Sequence, residues 1–564
     1  MYKHTVSGAT PPQCVIAGKR YICPGTGEAA VLVPWKLRRI LICEAESKNA
    51  RSTDMTFLPD FSMATWTLLV LLLTLLAYYA IWPYRLFKRY GIPGPTPIPF
   101  IGTFLGNRKG LMEFDMECFK KYGKVWGIYE GQKPLLAIVD PVIIKSIMIK
   151  ECYSNFTNRR DLGLTGPLKS SVLVSKDEQW KRIRTVLSPT FTSGKLKQMF
   201  PLMKHYGELL VKNIHKKIDN KEPLDMKHIF GSYSMDIVLS TSFSVNVDSM
   251  NNPNDPFVTN ARNLFTFSFF NPLFLISILC PFLVPLLDKM NFCFLSLKIL
   301  NFFKDAVASI KKKRQKGTHE DRVDFLQLMV DAQSNEGKSV PEEEKHGYKE
   351  LSDTEILAQS LIFIMAGYET TSTTLMFLAY NIATHPDVQR KLEEEIDALL
   401  PNKAPPTYDA LMKMEYMDMV INESLRMFPP AIRIDRVCKK TMEINGVTIP
   451  AGVVIVVPLF ALHLNPEIWP EPEEFQPERF SKENQKNQDP YNFLPFGVGP
   501  RNCIGMRFAL VNMKVALTIL LQNFRLETCK DTPVPLKICT KGYLKPTKPI
   551  ILNLIPKVGQ TVEE

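Results

Sequence analysis

Cys503 stands in "PFGVGPRNCIG", residues Pro495 to Gly505, and the helix-like run "MRFALVNMKVALTILLQ" follows at once. The other ten of the eleven cysteines lie at irregular intervals with no CxxC pair, which argues against a disulfide framework or zinc ribbon and for a reducing compartment. A buried structural thiol is the reading that suits those ten. It does not explain why Cys503 is set among Gly497, Gly499 and Gly505 with a helix start behind it. Glycines let backbone N–H groups come close, and the first turn of a helix favours an anion, so the setting suits thiolate chemistry.

A polar island forms the second group. Ser352 and Glu355 read as a capping box, and the helix they open runs to about His385, before Pro386. At roughly 33 residues it is about 50 Å long, enough to cross a domain. Its centre, "LIFIMAGYETTSTTLMFLAY", interrupts an apolar stretch with a glycine, an acid and threonines. Ala366 and Gly367 are small enough to let a flat group approach the backbone. Thr370 can bond back to a carbonyl, which is expected to open the helix locally and leave room for water. By itself the pattern also fits a threonine-rich helix tolerated by its neighbours.

The third group is Glu423 and Arg426 of "NESLR", three residues apart on a helix whose flanks, "MVINESLRMFPP", are apolar. A surface pair is the bland reading; the apolar flanks favour burial, and a buried pair needs further partners to offset desolvation. Arg479 in "PERF" is the expected third member.

The elements around these groups read as mainly α with a minor β region. "KLKQMFPLMKHYGELLVKNIHKKI" and "HPDVQRKLEEEIDALL" carry apolar residues at helical steps. Strand signals are fewer: "PLLAIVD", "EINGVTIPAG" with its Asn445–Gly446 turn, and "PIILNLI". With 564 residues, 45% hydrophobic and 22% charged, the chain can bury a substantial core. A net charge of +12 suits a membrane surface or an acidic partner. No basic and aromatic cluster resembles a nucleic-acid module, so no nucleic acid is expected as a partner.

Phe61 to Tyr84 is uncharged for 24 residues. As a helix it rises roughly 36 Å, enough for a hydrocarbon core about 30 Å thick. Trp66, Tyr78, Tyr79 and Trp82 lie towards its ends, Arg85, Lys88 and Arg89 follow, and Asp54 and Asp60 precede. The positive-inside rule then leaves the C-terminal bulk in the cytoplasm. A cleavable signal is disfavoured by the length of the run and the lack of a small-residue cleavage site. The expected organisation is an atypical, unstructured extension at 1–54 without catalytic role, an anchor at 55–84, a basic and proline-rich semi-rigid linker at 85–102, and one catalytic domain at 103–564. A second uncharged run, Leu264 to Leu287, is broken by Pro272, Pro281 and Pro285 and reads as short apolar helices at the membrane interface or at a greasy entrance.

Ala366-Gly367-Tyr368-Glu369-Thr370-Thr371, Glu423-x-x-Arg426, Pro477-Glu478-Arg479-Phe480 and Phe496-x-x-Gly499-x-Arg501-x-Cys503-x-Gly505, in this order, resemble the cytochrome P450 superfamily. From Met55 almost to the C-terminus the chain is similar to vertebrate family 3, subfamily A, microsomal drug- and steroid-oxidising enzymes. "GIPGPTPIPF", "WKRIR", "LSPTFTSGKLK" and "FGVGPRNCIGMRFA" carry that likeness. The resemblance implies the P450 fold and haem b, with the Cys503 thiolate as axial ligand of the iron. Phe496 would cover the proximal side, and Arg159, Trp180, Arg184, Arg436 and Arg501 would hold the propionates. Thr370, with Glu369, would organise the water that delivers protons. Leu162, Phe267, Phe269, Met365, Ala366 and Ile432 would line the substrate pocket; Leu162 and Met365 stand where the subfamily commonly has phenylalanine.

The implied reaction inserts one oxygen atom of O2 into steroids, drugs or other lipophilic molecules. Electrons would come from NADPH through cytochrome P450 reductase, with cytochrome b5 as a further partner, at the endoplasmic reticulum membrane. Lys181 and Arg182 are expected on the basic face that meets the reductase. The alternative is a haem-thiolate isomerase resembling thromboxane synthase, which needs no reductase; the Glu369–Thr370 pair favours the monooxygenase.

Overall fold

The computed structural model describes residues 62–161, 163–264, 281–315, 324–331, 351–539 and 544–557, with Leu273, Ile276 and Ser277. The expectations for residues 1–54, for Leu162, Phe267 and Phe269, and for most of the 264–287 run fall outside the described residues.

Helix α1, Met63–Ile81, is apolar on every side, and its leucines are exposed along its length. With its continuation to Arg89 it is one of two helices among the described residues that are long and apolar enough to cross a membrane. The other, described below as α7, is two-thirds buried inside the protein. Trp82 closes α1 with Tyr78 5.0 Å away and the Arg85 guanidinium over its ring at 5.6 Å.

The proline-rich stretch after Arg89 lacks helix, as its spacing requires, but it is not a free spacer. Gly127 N–H donates to Pro93 O at 2.8 Å, Gly131 N–H to Ile101 O at 3.2 Å, and a Cβ on Gly94 would lie 2.1 Å from Gly127 O. The segment is laid against strand β1.

Strands β1 (Val125–Glu130) and β2 (Lys133–Ile138) form an antiparallel hairpin. Strand β3 (Leu224–Asp225) belongs to a separate sheet. Strands β4 (Arg433–Val437) and β7 (Val454–Pro458) complete the first sheet in the order β1-β2-β7-β4, with β2 and β7 parallel. Between them β5 (Met442–Ile444) and β6 (Val447–Ile449) form the expected hairpin, with Asn445 and Gly446 both at positive φ as a tight hairpin turn demands. Strand β8 (Phe524–Thr528) pairs with the C-terminal Ile551–Pro556, which pairs in turn with β3. Trp126, Leu136 and Ile455 centre the apolar core on the first sheet.

The larger core is helical. It joins α2 (Leu111–Tyr122), α3 (Asp177–Leu187), α4 (Ser193–Asp219), α5 (Met226–Phe243), α6 (Leu297–Gln315), α7 (Asp353–Thr384), α8 (Pro386–Leu399), α9 (Glu415–Met427) and α10 (Met506–Asn523). Helix α7 begins as expected: Ser352 Oγ accepts from Glu355 N–H at 3.2 Å, and the Glu355 carboxylate accepts from Ser352 N–H at 3.0 Å. It ends at Thr384, ahead of Pro386. Ile356, Leu361, Ile364, Phe377 and Leu378 are buried on all sides of it, as a helix through the middle of a domain must be.

Candidate active site

The cysteine loop is drawn tight by its backbone. Gly497 and Gly499 take φ of 69° and 77°, and a Cβ on Gly499 would lie 2.1 Å from Met148 O, so only glycine fits there. Cys503 N–H donates to Phe496 O at 2.8 Å and Asn502 N–H to Gly499 O at 3.1 Å. From α3, Arg184 donates Nη1 to Asn502 O and Nη2 to Asn502 Oδ1, each at 2.8 Å. Arg184, expected at the propionates, also grips the loop one residue before the cysteine.

The Cys503 side chain is reachable by solvent although protein atoms crowd around it. Both hold at once when a group fronts an internal opening. Burial dominates and raises the thiol pKa; the Gly505 N–H at the start of α10, Arg184 and Arg159 pull it down without winning. The N–H at the helix start lowers it as expected, and the burial that outweighs this is set by the whole fold. A metal ion held by this sulfur would add the positive charge that keeps it deprotonated.

Three guanidinium groups gather nearby. Arg436 is 0% exposed and Arg501 3% exposed. Arg501 lies 4.6 Å over the ring of the buried Trp180 and donates Nη2 to Ser175 O, while Arg436 donates Nη1 to Asp435 O at 2.7 Å. Among the described residues, Arg436 Nε and Arg501 Nε and Nη1 have no hydrogen-bond partner. Burial and then Arg159 lower both pKa values, Arg501 to about 9 and Arg436 to about 10; Arg436 also weighs on Arg501. Buried like charges with idle N–H donors require an anion.

Helix α7 is buried at 361–364 and again at 371–383, but Ala366 and Thr370, one turn apart, are exposed. In the middle of a buried helix such a window opens onto interior space. Thr370 Oγ1 donates back to Ala366 O at 2.5 Å as expected. The helix nevertheless stays α-helical through this turn, so the expected local opening is corrected. Gly367 serves neighbouring α5 and not a flat ligand: its missing Cβ would sit 2.5 Å from Val238 Cγ2, and Ser234 Oγ donates to Gly367 O at 3.2 Å. Ala366, expected to let a flat group approach, is exposed on this turn. Met365 and Ile432 are half-buried against the same helical core.

Glu369 points elsewhere. Its Oε1 is 3.0 Å from Lys227 Nζ on α5, and the same ammonium donates to Ser372 Oγ at 2.9 Å and Thr373 Oγ1 at 2.8 Å. Burial pushes the Lys227 pKa down, and Glu369 draws it back up. Lys227 carried no signal in the sequence, because its partners lie far along the chain.

Glu423 and Arg426 are fully buried and bidentate, at 2.7 and 2.8 Å. Arg426 also donates to the carbonyls of His463, Pro472 and Glu474, and Gln476 N–H donates to Glu423 at 3.0 Å. Arg479 stands 3.3 Å from Glu423 and donates to Glu471 O at 2.8 Å. The three side chains clamp the segment leading to the cysteine loop. Arg182, expected on a partner-facing surface, keeps 34% of its side chain exposed and is paired at 2.5 Å with the buried Glu355, which ties α3 to the start of α7. Lys181 pairs with Glu178 at 2.7 Å.

A reachable sulfur on a glycine loop, buried arginines lacking an anion and a small-residue window on a long helix fit an iron porphyrin with two propionates. The family model for cytochrome P450 matches residues 92–554, and the chain belongs to that family: it is a haem-thiolate monooxygenase using O2 and NADPH. More narrowly, it is 54% identical over 505 residues to cytochrome P450 3A29 of Sus scrofa, covering 90% of this chain and 99% of the relative. It is 55% identical to cytochrome P450 3A5 of Homo sapiens with the same coverage. Cytochrome P450 3A40 of Oryzias latipes is 55% identical over 497 residues, 88% of this chain and 98% of the relative. Nothing in these matches supports the isomerase alternative.

Proposed function

We propose that the protein oxygenates large lipophilic molecules such as steroids and drugs, with Cys503 as the axial thiolate. The observation that carries this reading is the Cys503 side chain, reachable yet enclosed, on a loop braced by Arg184 and Phe496. When bound, the haem supplies the activation of O2. Arg159, Arg436 and Arg501, with Trp180 beneath Arg501, supply charge and N–H donors for the propionates. Arg184 is a further donor for the propionates and also holds the loop that carries the ligand. Ala366 leaves room above the macrocycle, and Thr370 Oγ1 and the Glu369 carboxylate hold and pass the protons that the reaction consumes. Met365, Ala366 and Ile432 line the substrate side together with Leu162, Phe267 and Phe269.

Helix α1 anchors the chain in the endoplasmic reticulum membrane, with the catalytic domain on the cytoplasmic face, as the basic residues after Tyr84 favour. Residues 1–54 are an extension without catalytic role, and 103–564 are the catalytic domain. Electrons arrive from cytochrome P450 reductase, with cytochrome b5 as a second donor. The test is reconstitution with reductase and NADPH in lipid, followed by a screen of steroids and lipophilic drugs. Oxygenated products that require all components are expected; turnover without reductase contradicts the reading.

A further inference from the structure

The loop that carries Cys503 is held from outside near both ends. At the far end Arg184 grips Asn502 with two donors, each at 2.8 Å. At the near end the buried Leu494 donates its N–H to Nε2 of His463 at 3.0 Å. Leu494 O in turn accepts from Gly497 N–H at 3.0 Å, and Phe496 O accepts from Cys503 N–H at 2.8 Å. A shift of Leu494 is thus passed along the backbone to the cysteine. His463 ends the short helix Leu459–His463 and is 0% exposed, and its own carbonyl accepts from Arg426 Nη1 at 3.0 Å. One residue therefore meets the Glu423–Arg426 pair through its backbone and the cysteine loop through its side chain. The sequence gave no sign of this, because Arg426 and Leu494 lie 37 and 31 residues away.

A ring nitrogen that accepts a hydrogen bond carries no proton, so the neutral imidazole keeps its proton on Nδ1. Burial, and then the Arg426 guanidinium, push the His463 pKa down to about 3, which keeps the ring neutral. Nδ1 has no hydrogen-bond partner among the described residues. A buried idle donor is destabilising, and leucine or phenylalanine would fill the space without one. What imidazole adds over those is the acceptor at Nε2. Aromatic packing holds it in that aim: the ring centre is 5.4 Å from that of Phe493, which lies 4.7 Å from Phe480, the neighbour of Arg479.

We propose that His463 is a positioning residue for the haem ligand: its Nε2 ties the Glu423–Arg426–Arg479 clamp to the start of the cysteine loop and so holds the Cys503 sulfur in place. The proposal rests on the reading of Cys503 as the axial thiolate. Without the bond, Arg184 still holds the far end while the near end is released, and the sulfur leaves the iron more readily.

The test uses the full-length, haem-loaded protein. His463→Leu removes the acceptor and keeps an apolar body. Amide hydrogen exchange at Leu494 should then speed up at least about tenfold. The thiolate-type band of the ferrous carbonyl form should decay at least about threefold faster on mild warming. Glutamine can place its amide oxygen where Nε2 stood, whereas asparagine reaches only to the Nδ1 position. His463→Gln should therefore recover most of both losses and His463→Asn should not, a split that a space-filling role would not produce. The Gln and Asn pair carries the test if the leucine variant does not accumulate. Unchanged Leu494 exchange in His463→Leu, or equal behaviour of the Gln and Asn variants, overturns the proposal and leaves Cys503 as ligand. A wild-type protein without the thiolate-type band overturns the Cys503 reading and the proposal with it.

Discussion

Arg184 donates both terminal nitrogens to Asn502, one to the backbone carbonyl and one to the side-chain oxygen, one residue ahead of Cys503. A planar fork from α3 thereby fixes the orientation of the loop that carries the sulfur, and lysine has no matching pair of donors. Arg184→Lys should fold but retain less haem, with a loss of about 1.5–3 kcal/mol in the hold on the loop. Haem content after dialysis checks this. Asn502→Ala should weaken retention as well, and the double variant should be less than additive.

The Glu423–Arg426 pair is 0% exposed on both sides and is surrounded by carbonyl acceptors and a backbone donor. Removing one partner leaves the other buried and uncompensated, which costs about 3–5 kcal/mol. Glu423→Gln or Arg426→Ala should therefore yield little folded, haem-loaded protein. Expression yield and thermal unfolding measure it, and a variant as stable as the parent would refute the clamp.

Gly367 meets Val238 where a Cβ would be 2.5 Å from Cγ2, the end of a stiff, branched side chain. Gly367→Ala should destabilise by about 1–3 kcal/mol through overpacking. Adding Val238→Ala should restore part of that loss. If Gly367 instead served a ligand, the second substitution would bring no recovery in thermal unfolding.

Asp236 of α5 is buried and accepts from both the N–H and the hydroxyl of Ser249, with no cation bonded to it among the described residues. Burial raises its pKa to about 7. Between about pH 4 and pH 7 the unfolded chain has released this proton while the folded chain keeps it, so stability falls as pH rises through that window and levels off above it. Asp236→Asn keeps the acceptor and removes the ionisation. It should stabilise the protein at pH 8 by up to a few kcal/mol and leave it little changed at pH 4. Denaturant unfolding at the two pH values measures the difference.

Features written in local pattern were legible in the sequence. The capping box of α7, the Asn445–Gly446 hairpin and the apolar flanks of Glu423 and Arg426 each state their geometry within a few residues. So does the glycine loop around Cys503. Features decided by a distant partner were not legible. Gly367 looks like room for a ligand until Val238 is set beside it, and nothing near Arg182 in the sequence announces Glu355 as its partner. The thiol pKa was legible only in part: the helix end and arginines act as expected, but the burial that outweighs them arises from the whole fold. The proline-rich stretch has the expected irregular backbone, and only the carbonyls of Pro93 and Ile101 show that it is docked.

The ferrous carbonyl spectrum addresses the sulfur–iron bond most directly. The wild-type protein should show the strongly red-shifted band of a thiolate-ligated pigment, and Cys503→His should replace it with the band of an imidazole-ligated one, with loss of turnover. An imidazole-type band in intact wild-type protein, or an unchanged spectrum in Cys503→Ser, would contradict the assignment of Cys503 as the ligand.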